Sequence, residues 1–149
     1  MPNSRRQDRE LDALYATLPR LACRGWCSAS CGPIATSARE RARIEERERR
    51  ALTAEDPGPS CSMLTETQRC RVYEIRPMIC RLWGLVKGMP CPYGCRPDGG
   101  LLPDSEGKRL LQEAERIGGT DEEGLARLVK DLLPLLKGED VVRKRGDRG

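Results

Sequence analysis

The sequence predicts a small α+β domain, mainly α, in which a short β-hairpin and several helices pack around cysteine metal sites. Three observations lead there. Eight cysteines occur in 149 residues. Helix-capping patterns recur along the chain, with apolar residues at helical spacing behind them. Aromatic side chains are scarce, with no Phe and only Trp26, Trp83, Tyr15, Tyr73 and Tyr93. Such a core buries little area per residue, and bound metal would supply the missing stability. The length suits one domain over 1–138, with a metal core at about 23–95 and a C-terminal helical pair at about 104–137. Residues 139–149 read as a charged, disordered tail.

Ser4-x-x-Gln7 has the form of a capping box, and Leu11, Leu14, Tyr15 and Leu18 follow at helical spacing until Pro19. Ser37-x-x-Glu40 opens a second helix toward Ala51. Its Arg/Glu mixture, broken only by Ile44 and some alanines, reads as a solvated surface held by i,i+4 ion pairs. Pro57-Gly58-Pro59 marks a connector. Cys61 to Leu64 and Cys70 to Ile75 flank a polar turn at 65–69, and Val72, Tyr73 and Ile75 suit a strand, so a hairpin is expected. Pro77 suits the first position of a helix whose apolar face is Met78, Ile79, Leu82, Leu85 and Val86, ending at Gly88. A helix over Glu106 to Ile117 stops at Gly118-Gly119. Thr120-x-x-Glu123 caps a last one, with a packing stripe of Leu125, Leu128, Val129, Leu132 and Leu136.

Composition excludes several chemistries. Histidine is absent, which removes His-Cys zinc fingers, HEXXH hydrolases, facial-triad iron sites and Ser-His-Asp triads. Carboxylates are plentiful but sit in exposed-looking helical or turn positions, and no residue set forms a catalytic pair. The expectation leans away from an enzyme. The charge, +4 from 27 Lys+Arg and 23 Asp+Glu, is mixed along the chain and does not by itself indicate nucleic acid. No long apolar run suggests a membrane span, and Met1 to Glu10 has no apolar segment of the secretory kind, so a reducing, cytoplasmic setting is expected. In that setting the cysteines bind metal rather than pair as disulfides.

The candidate ligands are Cys23, Cys27, Cys31, Cys61, Cys70, Cys80, Cys91 and Cys95. Their spacing is C-x3-C-x3-C, a gap of 29 residues, then C-x8-C-x9-C-x10-C-x3-C. Short spacings let one local turn present two thiolates to one ion, with sulfur about 2.3 Å from zinc. Eight thiolates suit two four-cysteine sites, or one such site and a looser set; the spacing does not partition them. Arg24, Arg69, Arg71, Arg81 and Arg96 each adjoin a cysteine. Guanidinium groups there would offset the charge of about −2 on a tetrathiolate metal site, lower the thiol pKa values and donate hydrogen bonds to sulfur. C-x3-C-x3-C differs from the C-x3-C-x2-C of radical S-adenosylmethionine enzymes in its last spacing.

Cys61-Ser-Met-Leu64 followed by Cys70-Arg-Val-Tyr-Glu-Ile-Arg-Pro-Met-Ile-Cys80-Arg81 resembles the signature of the YkgJ-type cysteine-cluster proteins. Those are described as zinc- or iron-chelating domains. Tyr73, Arg76, Pro77 and Arg81 fall where that family has them, and the resemblance extends over roughly 23–95. The family's first cluster usually reads C-x2-C-x2-CC; here Gly32 follows Cys31, so one expected cysteine is missing, and Cys91 and Cys95 could make up the count. The resemblance implies metal chelation and no particular reaction. Within it, Arg76 is expected to pair with a cluster sulfur or a carboxylate, Pro77 to start the helix that aims Cys80, and Tyr73 to pack beside the site with its hydroxyl bonded; Arg81 is grouped with them.

The leading expectation is a metal-binding module whose Zn2+ organises the fold while the surface binds a partner. One alternative is an iron–sulfur cluster protein with a redox or catalytic role, which all-thiolate ligation also suits. Another is a nucleic-acid or large-complex binding protein using Arg39, Arg43, Arg47 and Arg50 of the Arg-rich helix together with the basic tail.

Overall fold

A computed structural model describes residues 2–23, 36–50 and 63–122, and beyond them 124, 126 and 129. Among the described residues the named α-helices run in the order α1 (Pro2–Ala16), α2 (Ala38–Glu48), α3 (Met78–Leu82) and α4 (Asp104–Gly118), with a 3-10 turn at Tyr73–Ile75. The mainly helical character therefore stands. Among the described residues β structure is confined to isolated bridges: Leu21 with Pro97, Ser37 with Thr120 and Leu64 with Cys70, all antiparallel, and Val86 with Leu102, parallel.

α1 begins ahead of Ser4, so the expected capping box lies inside the helix. Gln7 instead reaches across to α4, donating from Nε2 to the Ile117 carbonyl at 3.0 Å. Leu11 and Tyr15, one turn apart, enter a core with Met78, Leu82, Val86, Leu110, Ala114 and Ile117. α4 spans the region expected of it, and Gly119 with φ +82 ends it.

α2 carries the capping box read from the sequence. The Ser37 hydroxyl accepts from the Glu40 amide, and the Glu40 side chain accepts from the Ser37 amide at 2.9 Å. Its environment is not the one expected. Arg39, Glu40 and Ile44 are buried, so α2 is a packed element rather than a solvated one. Its N-terminus is docked on the end of α4 through Ala38 N–H to the Gly119 carbonyl at 2.8 Å. A Cβ at Gly118 would collide with the Ser37 hydroxyl, so the close approach requires glycine there.

The hairpin expectation reduces to its turn. Leu64 and Cys70 pair around Thr65–Arg69, with Thr65 N–H bonded to the Arg69 carbonyl at 2.7 Å. Beyond Cys70 the chain coils into the 3-10 turn instead of a strand. Val72 is buried against Ile44 and Met63 in a second small core, while Tyr73 faces outward. The carbonyls of Glu74 and Arg76 are taken by the Arg81 guanidinium at 2.9 and 2.7 Å, so neither serves a strand partner.

α3 is also shorter than its apolar pattern suggests. Pro77 is its N-cap, and the chain leaves the helix at Trp83. Gly84, at φ +86, turns the backbone, and its amide bonds the Met89 carbonyl at 2.7 Å. Leu85 and Val86 are buried, but they reach the core from the turns that follow α3, where Val86 pairs with Leu102. After α4, the Gly124 amide donates to Asp121 at 3.0 Å while the Thr120 hydroxyl donates to Glu115, so the N-cap bond expected of Thr120 is made by Asp121. Of the stripe beyond it only Val129 is described, and it is half exposed. Leu125, Leu128, Leu132, Leu136 and the tail lie outside the described residues.

Candidate metal centre

Five of the candidate ligands are described: Cys23, Cys70, Cys80, Cys91 and Cys95. Cys27, Cys31 and Cys61 lie outside the described residues. The best-formed piece is the knuckle Cys91-Pro-Tyr-Gly-Cys95. Gly94, at φ +83, folds it back so that its amide bonds the Cys91 carbonyl at 3.2 Å. The amides of Tyr93 and Cys95 then donate to the Cys91 sulfur, which also lies within hydrogen-bond reach of the Cys95 thiol. Burial alone would push the Cys91 thiol up. The two amides, then the Cys95 thiol and the Arg96 charge, outweigh it and hold the thiol below its ordinary value. Arg96 braces the same loop, with Nη1 on the carbonyls of Cys95 at 2.8 Å and Cys91 at 3.3 Å.

Cys23 reaches this region through the backbone. Leu21 pairs with Pro97, and the Asp98 amide bonds the Arg20 carbonyl at 2.9 Å. The pairing stops there, because the Cys23 amide turns back onto the Leu21 carbonyl at 3.0 Å. A Cβ built on Gly84 would stand 2.9 Å from Leu21 Cδ2 and 3.7 Å from Cys91 Cβ, so the strap and the knuckle meet over Gly84. Cys23 itself is exposed. Cys80 lies in α3, half-buried, and Cys70 packs against the second core around Ile44, Met63 and Val72. Among the described residues no three Cys, Asp or Glu side chains converge closely enough to hold one ion.

Of the three residues expected around the ligands, Arg76 and Arg81 bond backbone carbonyls. Arg76 stacks on the Tyr73 ring, 3.8 Å from its centroid, and bonds the Tyr73 carbonyl at 2.9 Å, where a sulfur or carboxylate was expected. Tyr73 is half exposed. Arg81 lies over the Tyr15 ring at 3.9 Å while it holds the two carbonyls ahead of α3.

A family model described as CxxCxxCC, "Putative zinc- or iron-chelating domain", matches residues 22–113, well over half of the chain. The chain belongs to the CxxCxxCC family. No curated protein and no solved structure matches it. The matched stretch runs from the strap carrying Cys23 through the knuckle and into α4.

The donor chemistry fits the ions the family description names. Sulfur is the soft ligand that zinc and iron–sulfur sites share. The Cys91–Cys95 knuckle already supplies amide donors to a thiolate. Trp83, three residues after Cys80, keeps a buried indole N–H with no acceptor among the described residues. Metal-bound sulfur accepts hydrogen bonds from donors of this kind.

A residue outside the motif proves central to this CxxCxxCC chain. Glu40 is 2% exposed and accepts four hydrogen bonds. They come from the Tyr15 hydroxyl at 2.6 Å, the Met78 amide at 2.7 Å, and the Ser37 amide and hydroxyl at 2.9 Å each. The capping box marked Glu40 as a helix-start residue, but nothing local to it in sequence points to Tyr15 or Met78.

Arg39 and Arg43 of the Arg-rich face are likewise engaged within the fold. Arg39 grips both Asp8 oxygens at 2.7 and 2.8 Å and also bonds Glu46 at 2.8 Å, leaving its side chain 10% exposed. Arg43 bonds Asp12 at 2.9 Å, and Arg47 pairs loosely with Glu74 at 3.5 Å. Arg50 follows the left-handed C-cap residue Arg49, and its amide bonds the Glu45 carbonyl.

Proposed function

We propose that this CxxCxxCC chain is a thiolate metal-chelating module, with zinc as its structural ion and its outer surface left for partner binding. The observation that carries the reading is the Cys91–Cys95 knuckle, in which two backbone amides and Arg96 favour the thiolate at a buried sulfur. Cys91 and Cys95 nucleate a site, which is completed by cysteines from elsewhere in the set. Cys70, on the other core, belongs to a different ligand set. Cys23, Cys27, Cys31, Cys61 and Cys80 complete the ligands. Structural zinc is tetrahedral and fully ligated by protein, so it would tie the strap, the knuckle and α3 together.

Small aromatic-poor cores gain most from such a tie, because the metal's binding free energy becomes folding free energy. The internal ion pairs of Arg39 and Arg43 favour a structural role for that face over phosphate binding.

Anaerobic purification followed by metal analysis and visible absorption tests the reading. One or two zinc ions per chain, no colour and unfolding by chelator are expected. Iron with acid-labile sulfide and a broad band near about 400 nm would replace it with a redox or catalytic cluster. A stable, metal-free fold with intact thiols would overturn chelation altogether.

A further inference from the structure

We propose that Glu40 is a positioning residue for the metal site: with Tyr15 and Arg81 it fixes α3 and thereby sets where Cys80 is offered. The proposal rests on the reading that Cys80 is a ligand. α3 has only five residues, too few to hold a helical conformation by itself. Its first amides have no partners within the helix. Glu40 supplies one from outside, with Oε1 accepting the Met78 N–H at 2.7 Å. The same oxygen accepts the Tyr15 hydroxyl at 2.6 Å. The Tyr15 ring in turn lies under Arg81 at 3.9 Å, and Arg81 is itself part of α3.

A closed circuit results, running Glu40, Tyr15, Arg81, along α3 to Met78, and back to Glu40. It holds the short helix near both ends. Arg81 also grips the carbonyls of Glu74 and Arg76, which fixes the entry of the chain into Pro77. Met78 and Leu82 are fully buried. Cys80 is two residues from each, about 200° round the helix, so it lies on the side of α3 away from the core. Rotation of α3 would therefore carry Cys80 away from its fellow ligands. The Glu40 circuit prevents it. The remaining Glu40 oxygen accepts both Ser37 donors, so the carboxylate is anchored to α2 while it holds α3.

The test uses the full chain loaded anaerobically with Co2+, whose thiolate charge-transfer absorption reports how many sulfurs bind. Glu40→Gln, Tyr15→Phe, Cys80→Ser and the Glu40→Gln/Cys80→Ser double variant are compared, with circular dichroism to establish folding. Glu40→Gln is expected to lose the same absorption as Cys80→Ser and to weaken Co2+ binding about 10- to 100-fold, the range for residues that orient ligands. The double variant should lose no more absorption than Cys80→Ser alone. Tyr15→Phe, which keeps the stacked ring, should show the same loss in smaller measure.

A folded Glu40→Gln protein with full absorption and unchanged Co2+ affinity would overturn the proposal, as would losses that add in the double variant. If Glu40→Gln does not fold, Tyr15→Phe decides in the same way. If Cys80→Ser itself leaves the absorption intact, Cys80 is not a ligand, and the underlying assignment fails together with the positioning role.

Discussion

Tyr15 and Glu40 are 25 residues apart in sequence and joined by a 2.6 Å hydrogen bond between buried side chains. The bond links α1 to the first turn of α2, and through Glu40 both reach the Met78 amide of α3. Burial, then the charge and hydrogen bond of Glu40, push the Tyr15 hydroxyl well above the ordinary phenol range.

An alkaline limit on stability follows. A group whose pKa is raised by folding contributes fully below its unfolded value of about 10, and the contribution declines as pH rises beyond it. Urea unfolding of the metal-free protein should show stability falling above that pH, and Tyr15→Phe should flatten this part of the profile. At neutral pH the same substitution should cost about 1.5–3 kcal/mol, the usual worth of a hydrogen bond to a charged group.

The ion pairs of α2 should be unequal. Arg39→Ala removes a guanidinium that is 10% exposed from both Asp8 and Glu46, and a loss of about 1–3 kcal/mol is expected in chemical denaturation. Arg47→Ala, whose side chain is half exposed and 3.5 Å from Glu74, should stay within about 0.5 kcal/mol. The hydrogen bond and charge of Arg39 hold the Asp8 carboxyl below the usual range against the effect of burial. The Asp8 contribution is thus present above its unfolded pKa and is lost as pH falls through the folded one. Asp8→Asn should reduce the acid sensitivity of unfolding.

Gly118 tests the docking of α2 on α4. An alanine Cβ there would overlap the Ser37 hydroxyl, which is bonded to Glu40. Gly118→Ala should lower stability by about 1–3 kcal/mol, as overpacking does. Adding Ser37→Ala leaves the Ser37 Cβ 2.7 Å from the new methyl and removes the α2 cap, so thermal melts should show no recovery.

Arg96 should make a small contribution to the pH at which metal is released. Thiolate ligands must be deprotonated, so metal affinity falls as pH falls. The Arg96 charge is among the influences that lower the Cys91 thiol. In Arg96→Ala the thiol rises, protons compete earlier, and metal should leave at a higher pH than in the unaltered protein. A chromogenic chelator followed through an acid titration reads the shift directly.

Much of the scaffold was legible locally. Ser37-x-x-Glu40 is a pattern of four residues whose hydrogen bonds are made within those four, and both formed. The Gly118-Gly119 stop and the Cys91-to-Cys95 knuckle are also short-range. The strand expected at Val72 to Ile75 and the long helix expected after Pro77 failed for a common reason. Each rested on apolar periodicity, which reports that side chains are buried without saying by what route. Val72 is buried from the approach to a 3-10 turn, and Leu85 and Val86 from the turns around Gly84.

By itself the sequence determined the mainly helical character, a composition of eight cysteines and no histidine, and the family motif around Cys70 and Cys80. Those properties depend on composition and on residues close together in the chain. Only the tertiary structure decided that Glu40 is buried beneath Tyr15 and Met78, that Arg39 faces Asp8, and that the strap before Cys23 lies along Pro97. The physical reason is that a carboxylate or guanidinium carries no local mark of burial. It can be buried only where distant segments bring it enough hydrogen-bond partners, and that meeting is a property of the folded chain.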